Sequence, residues 1–192
     1  MTTQPIRNKK HIKQISSYFI NRGEFRNHLL FIMGIHTALR ISDMLRLTWD
    51  DVYDFDNNRV RPEFFLIEKK TRKSKIIAVN QSVIEAISKL FKQVKPVAGT
   101  EFLFAHPTLN KAISRIQAYR ILRAAAEEAC VNVPVSCHSL RKTFGYHLWK
   151  DGKSPVVIMD IYNHTSYEVT KRYLGITQDD KNSAYLELNL CA

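Results

Sequence analysis

Apolar and polar positions divide the chain into a helical start, a strand-like middle and a helical second half. Lys9 to Asn21 shows helical spacing and predicts a first helix, and Glu24 to Leu39 predicts a second. In that second segment Leu29, Leu30, Ile32, Met33, Ile35 and Leu39 leave little room for a polar face, so the helix is expected to be central and buried. Ile41 to Leu47 continues helically. The texture then changes, and TWDDVY, RVRPEFFLIEK and KIIAV read as strands rich in β-branched and aromatic residues. Asp56-Asn57-Asn58 supplies a turn between the first two, and the basic run from Lys69 to Lys75 joins the second to the third. The expected result is a small three-stranded antiparallel sheet with a cationic hairpin tip.

Past the sheet, Ser82 to Gln93 predicts a helix stopped before Pro96. Asn110 to Cys130 predicts a long helix, with Ile113, Ile116, Tyr119 and Ile121 at apolar spacing. Ser139 to Lys150, Pro155 to Asn163, Ser166 to Leu174 and Asp179 to Leu190 complete a helical second half. The fold class is therefore mainly α with a minor antiparallel sheet, an α+β arrangement. No repeat, linker or low-complexity tract divides the chain, so residues 1–192 are expected to form one domain.

Composition narrows the partners. Lysine and arginine outnumber aspartate and glutamate by 29 to 18, a formal charge of +11. Such an excess favours a polyanion, because each phosphate neutralised releases condensed counterions. It would also suit a ribosomal or membrane-surface protein, so specific residues must discriminate. No run of about 18 apolar residues appears and the first residues are polar and basic, so a cytoplasmic location without membrane insertion is expected. Cys130, Cys137 and Cys191 are an odd set without CxxC spacing, which predicts reduced, buried thiols rather than disulfides or a zinc module.

Three groups of residues carry candidate chemistry. His138 and Arg141 are three apart at the start of a predicted helix, which places imidazole and guanidinium on one face toward a single anion while Leu140 turns to the core. Taken alone, the pair reads more readily as surface residues near a helix start. Arg40 ends an almost wholly apolar helix, with Asp43 three residues on. A guanidinium in apolar surroundings needs a carboxylate or phosphate partner. An Arg40–Asp43 salt bridge and an anion grip are compatible readings, because the aspartate can orient the arginine. His164 precedes Tyr173 by nine residues within NHTSYEVTKRYLGI. A tyrosine that attacks phosphorus must shed or share a proton despite a free pKa near 10, and so needs cations and a base nearby. An isolated Tyr173 would simply be a packing residue.

Together these blocks resemble the tyrosine recombinases, or phage-integrase family, over nearly the whole chain. TALRISDMLRLTWDDV, EKKTRKSKIIAV, HSLRKTFGYHL and YNHTSYEVTKRY occur in the family's order. The resemblance implies that Arg40, Lys70, His138, Arg141, His164 and Tyr173 are catalytic, with Tyr173 the nucleophile and Asp43 supporting. Lys69, Lys73 and Lys75 crowd the hairpin; Lys70 is preferred because it directly precedes Thr71, as in the family's usual KT turn. The implied activity is site-specific cutting and rejoining of double-stranded DNA through a 3′-phosphotyrosyl link. Neither metal nor ATP is implied, because the phosphotyrosine conserves the energy of the broken bond.

The physics suits those roles. Two forked guanidiniums, Arg40 and Arg141, can hold the charge that builds on non-bridging oxygens. A mobile ammonium, Lys70, can protonate the leaving 5′ oxygen. His138 can assist proton transfer from the tyrosine and His164 can donate to the phosphate. Two features depart from the family's pattern: Tyr162-Asn163-His164 stands for the usual LGH, and KTFGYH follows the second arginine instead of the commoner HTFAT.

The chain also offers only about 25 residues before the catalytic block. No separate N-terminal core-binding domain is expected, whether the chain is a natural short recombinase, like the fimbrial switch invertases, or part of a longer integrase. Lys69, Arg72, Lys73, Arg115, Arg120, Arg123, Lys142, Lys171 and Arg172 are expected DNA contacts, or else a solvated face. Residues 179–192, carrying Tyr185, Leu186, Leu188 and Leu190, are expected to dock on their own core or, as the resemblance implies, on a neighbouring protomer of a tetramer on DNA, with a monomer when free. A DNA-binding regulator that has lost the reaction and a type IB topoisomerase are the competing readings.

Overall fold

The computed structural model describes residues 3–176 and 178–189. Its architecture is mainly helical with short antiparallel strands, as the hydrophobic pattern predicts. The first helix, α1, spans Lys9–Asn21 and is capped by the Asn8 side chain on the Lys10 amide. Helix α2, Phe25–His36, is buried continuously from His28 to Ile35 and packs on α1 and on α5 (Gln81–Val94), α6 (Arg115–Glu128) and α7 (Cys137–Lys150). It is the axis of the main core. Gly34 permits the approach of α7, since a Cβ there would overlap the Leu140 side chain.

Helix α2 is shorter than its apolar run. It ends at His36, where the Thr37 hydroxyl bonds to the Met33 carbonyl, and Ala38 takes a left-handed φ of 56°. That break swings Arg40 off the helix to the N-cap position of the short helix α3 (Ile41–Met44).

The TWDDVY segment is not a strand. Thr48 and Asp51 form a reciprocal capping box that starts helix α4, Trp49–Val52, and only Tyr53–Asp54 extends, as β1, to pair with β2, Arg59–Val60. Pro62 separates β2 from β3, Glu63–Ile67, which pairs in register with β4, Ser74–Ala78. Among the described residues there are thus two two-stranded sheets where one of three strands was expected. Proline lacks the amide that a continuous ladder needs.

The long helix expected from Asn110 starts instead at Arg115, because Ser114 and Gln117 form a second capping box. Residues 101–114 run irregularly in front of it. Helices α8 (Pro155–Ile161), α9 (Tyr167–Leu174) and α10 (Gln178–Glu187) follow. Cys130 is exposed and Cys137 half-buried, both free thiols, which corrects the expectation that they are buried; Cys191, like Leu190, lies outside the described residues. Among the described residues no helix is long and apolar enough to cross a membrane.

A second, small apolar cluster of Ala38, Ile158, Tyr162 and Leu174 sits apart from the main core, with Phe144, Ile161 and Tyr173 against it. The segment ahead of α1 straps the same region. Ile6 is buried, its amide donates to Thr143 Oγ1 at 2.8 Å, and its carbonyl meets His147 Nε2 at 3.0 Å.

Candidate active site

Tyr173 lies in the last turn of α9, half-buried over the small cluster. Its ring centroid is 4.7 Å from that of His164, 5.0 Å from that of His138 and 5.1 Å from that of Tyr162. The Arg141 guanidinium carbon and the Lys142 ammonium are each 5.9 Å from it. Two open cavities meet at His138 and Tyr173. One, of about 1040 Å³, also carries Arg40, Lys70, Arg115 and Arg141, and the other, of about 940 Å³, carries Lys142, Lys171 and Arg172.

Helix α7 does what the spacing of three predicts. Its N-terminus is fixed by Ser136, which forms a reciprocal cap with Ser139, so His138 stands at the exposed rim and Arg141 one turn deeper. Arg141 is 2% exposed. Its guanidinium donates to the carbonyls of Ala38 and Tyr162, the latter at 3.0 Å. Those two carbonyls flank the break after α2 and the end of α8, so one arginine ties three segments together.

Arg40 is held by a carboxylate, but not by Asp43. Its Nη1 lies 2.8 Å from Glu68, a fully buried residue at the end of β3. Glu68 also accepts from the Thr71 hydroxyl at 2.6 Å and from the Asn163 side-chain amide at 3.1 Å. Asp43, itself buried, takes the backbone amide of Lys69 at 3.0 Å. Asp43 thus anchors the hairpin, while Glu68 orients the arginine. The hydrogen bonds from Thr71 and Asn163, together with Arg40, hold the Glu68 carboxyl below the usual range against the opposing effect of its burial. No sequence spacing announces Glu68, which is 28 residues from Arg40 and 95 from Asn163.

The hairpin lysines are sorted by the pleat. Lys75 pairs with Leu66 on the face that also buries Phe64 and Ile77, so its ammonium points inward and donates to the Ile161 carbonyl at 2.6 Å. Burial, and then Arg141, lowers its pKa from 10.5 to about 8. Lys69, Lys70, Arg72 and Lys73 are exposed at the tip, and Lys70 alone of these lines the cavity with Tyr173.

His164 follows Asn163, whose φ of 53° is a left-handed value that asparagine tolerates well. This accounts for asparagine where glycine is usual in the resembling pattern. Thr170, fully buried on α9, meets His164 Nδ1 at 3.0 Å. Burial, and then Arg141 and Arg40, lowers the His164 pKa to about 4; partial desolvation, and then Lys142, Arg141 and Arg40, lowers that of His138. Both imidazoles are neutral at pH 7, able to accept or relay a proton.

The expected DNA contacts divide. Arg115 and Arg120 are exposed on α6, and Arg123, also exposed, pairs with Glu127 at 2.6 Å. Lys171 and Arg172 are exposed beside Tyr173. Lys142 is 6% exposed and its ammonium donates to the Thr3 carbonyl at 2.6 Å, although it lines the cavity beside Tyr173, Lys171 and Arg172.

Comparison with known proteins gives the same fold. The chain is 41% identical over 182 residues to the probable integrase/recombinase YoeC of Bacillus subtilis, covering 95% of this chain and 94% of that protein. It is 26% identical over 159 residues to the tyrosine recombinase XerD of Corynebacterium glutamicum, covering 81% of this chain but 50% of that protein; the chain spans about half the length of such longer relatives. The crystal structure of XerA recombinase superposes with a TM-score of 0.78 at 16% identity over 96% of this chain and 64% of that one. XerH site-specific recombinase bound to palindromic difH substrate, in a post-cleavage complex, superposes with a TM-score of 0.76 at 14% identity over 96% of this chain and 52% of that one. The model of the phage integrase family matches residues 8–179, which include every candidate catalytic residue: the chain belongs to that family.

Proposed function

We propose that this chain cuts and rejoins double-stranded DNA at a specific recombination site through a covalent link to Tyr173. The observation that carries the reading is the setting of Tyr173: two neutral imidazoles and a buried arginine pack around its ring, and Arg40 shares its cavity. In the first step the Tyr173 oxygen bonds to phosphorus as the 5′ oxygen leaves. The phenolic proton passes to His138 and the leaving oxygen takes a proton from Lys70, so no net charge is lost. Arg40 and Arg141 hold the non-bridging oxygens, and His164 donates to the same phosphate. Attack by a 5′ hydroxyl on the phosphotyrosine reverses the sequence on a new strand.

The supporting placements are consistent with this division of labour. Arg141 is oriented by two carbonyls and Arg40 by Glu68, so both guanidiniums are set before DNA arrives. Lys70 sits on an exposed tip and can travel with the leaving group, whereas Lys75 is already engaged by Ile161. The exposed cations of the hairpin and of α9 suit backbone phosphates. Tyr185, Leu186 and Leu188 are 81%, 85% and 66% exposed, so these three side chains are not covered by the chain's own core. This favours packing on a neighbouring protomer in an assembly on DNA, with a cytoplasmic monomer when free.

The test is incubation with a nicked suicide duplex carrying the protein's own recombination end, without metal or ATP, followed by detection of an SDS-resistant adduct. The expected adduct is absent in Tyr173→Phe. Duplex binding without any adduct would favour a DNA-binding regulator, and relaxation of supercoiled DNA irrespective of site would favour a topoisomerase.

A further inference from the structure

The two places where the sequence departs from the family's usual pattern touch each other. Tyr162 is fully buried, and its hydroxyl donates to the Arg141 carbonyl at 2.6 Å. Its ring stacks on His164 at 4.9 Å between centroids and 23° between planes, while the Arg141 guanidinium carbon lies 4.6 Å from its centroid. Its own carbonyl receives Arg141 Nη2. The ring therefore touches two candidate catalytic side chains, and the residue is hydrogen-bonded to the arginine through both its hydroxyl and its carbonyl.

Gly145 is what makes room. A Cβ built there would fall onto the Tyr162 hydroxyl and within 2.9 and 3.0 Å of ring carbons Cε2 and Cζ. Alanine at 145 and tyrosine at 162 are thus mutually exclusive without movement of α7 or α8, and α7 carries both His138 and Arg141.

We propose that Tyr162 is a positioning residue that locks Arg141 and His164 into their working geometry, and that Gly145 is the gap in α7 that admits it. Tyr162 is not a second nucleophile: its hydroxyl is spent on a buried carbonyl, and burial raises its pKa. The proposal rests on the reading of Tyr173 as a DNA-cleaving nucleophile only for its rate effects. The geometry can be followed independently through the titration of His164, which is faced by Arg141 and His138 on α7, Arg40 before α3, Glu68 just after β3 and Thr170 and Tyr173 on α9.

The experiment compares Tyr162→Leu, Tyr162→Phe, Gly145→Ala and the double variant Gly145→Ala/Tyr162→Leu in the full chain. Adduct formation, duplex affinity, thermal unfolding and the NMR titration of the His164 imidazole are measured. Gly145→Ala and Tyr162→Leu should each slow cleavage on the order of 10–100-fold with duplex affinity retained, as expected for misplaced reacting groups. Tyr162→Leu should move the His164 pKa up from about 4 toward the ordinary 6.5, since its stacking partner is gone. The double variant should be no slower than Tyr162→Leu alone, because the collision is removed. Tyr162→Phe keeps the ring, so it should retain the His164 titration while losing part of the rate through a freer Arg141. An unchanged His164 titration and rate in folded Tyr162→Leu, or losses that multiply in the double variant, would overturn the proposal. Absence of a wild-type adduct would instead count against the nucleophile reading and leave the titration to decide this one.

Discussion

Arg40 and Glu68 form an ion pair at 2.8 Å in which the Glu68 side chain is wholly buried and the Arg40 side chain is 22% exposed and lines the cavity. The arginine thus has one edge held by the protein and another available to a phosphate. Removing the carboxylate leaves a partly buried charge uncompensated, which typically costs about 3–5 kcal/mol. Glu68→Ala is expected to lower stability by that order in a denaturant titration. Glu68→Gln keeps an acceptor for Thr71 and should be milder, yet it should still slow adduct formation because Arg40 loses its fixed orientation.

Lys70 and Lys75 are separable by leaving-group chemistry. Replacing the bridging 5′ oxygen with sulfur gives a leaving group that needs no proton, so only the general-acid variant should be rescued. Lys70→Ala is expected to be slow on the oxygen duplex, on the order of 10²-fold, and restored on the sulfur one. Lys75→Ala should be slow on both, because its loss removes a cation and frees the hairpin from Ile161. Rescue of Lys75→Ala together with an alkaline fall in wild-type rate near pH 8 would exchange the two roles.

Acid sensitivity should come from histidines whose surroundings lower their pKa. His28 is 5% exposed, bonded to Ser16 at 2.9 Å, and burial, then Lys89, lowers its pKa to about 4; that of His164 is also about 4. The unfolded chain binds these protons near 6.5, the folded one only near 4, so stability is full above 6.5 and is lost as pH falls toward 4. The melting temperature should drop across that window, and His28→Gln should flatten part of the slope. A melting temperature independent of pH from 7 to 4.5 would contradict this.

The strap ahead of α1 should matter to Tyr173. Arg7 donates to the carbonyl of Gly175, the left-handed cap of α9, at 2.6 Å and lies 5.3 Å from the Tyr146 ring centroid. Arg7→Ala is expected to loosen the last turn of α9, where Tyr173 sits. Adduct formation should fall more than duplex affinity does, and hydrogen exchange of the α9 amides should accelerate. Unchanged exchange in α9 would sink the idea.

Much of this was legible before any coordinates. Helix α1 matches its predicted bounds, Lys9–Asn21, because an asparagine cap and a clean apolar face are local signals. The burial of α2 followed from a run of apolar residues too wide for any amphipathic surface. His138, Arg141, His164 and Tyr173 are candidates by local spacing and a set only by the resemblance, and the structure brings all four together. Boundaries failed where capping chemistry overrode periodicity: Thr48 with Asp51 turned an expected strand into α4, and Ser114 with Gln117 delayed α6.

What chain order and residue type indicate here is the helical class and the excess of cations, since these depend on composition and on neighbours within a few positions, whereas the grouping of Tyr173 with His138 and Arg141 is decided by packing. Partnership across the fold is of another kind. Glu68 rather than Asp43 holds Arg40, Lys75 rather than its neighbours points inward, and Gly145 makes room for Tyr162. Those outcomes depend on strand register, on the break at Ala38 and on the approach of α7 to α8. Each of these is set by packing between segments far apart in the chain, where a single residue of register or one methyl group reverses the answer.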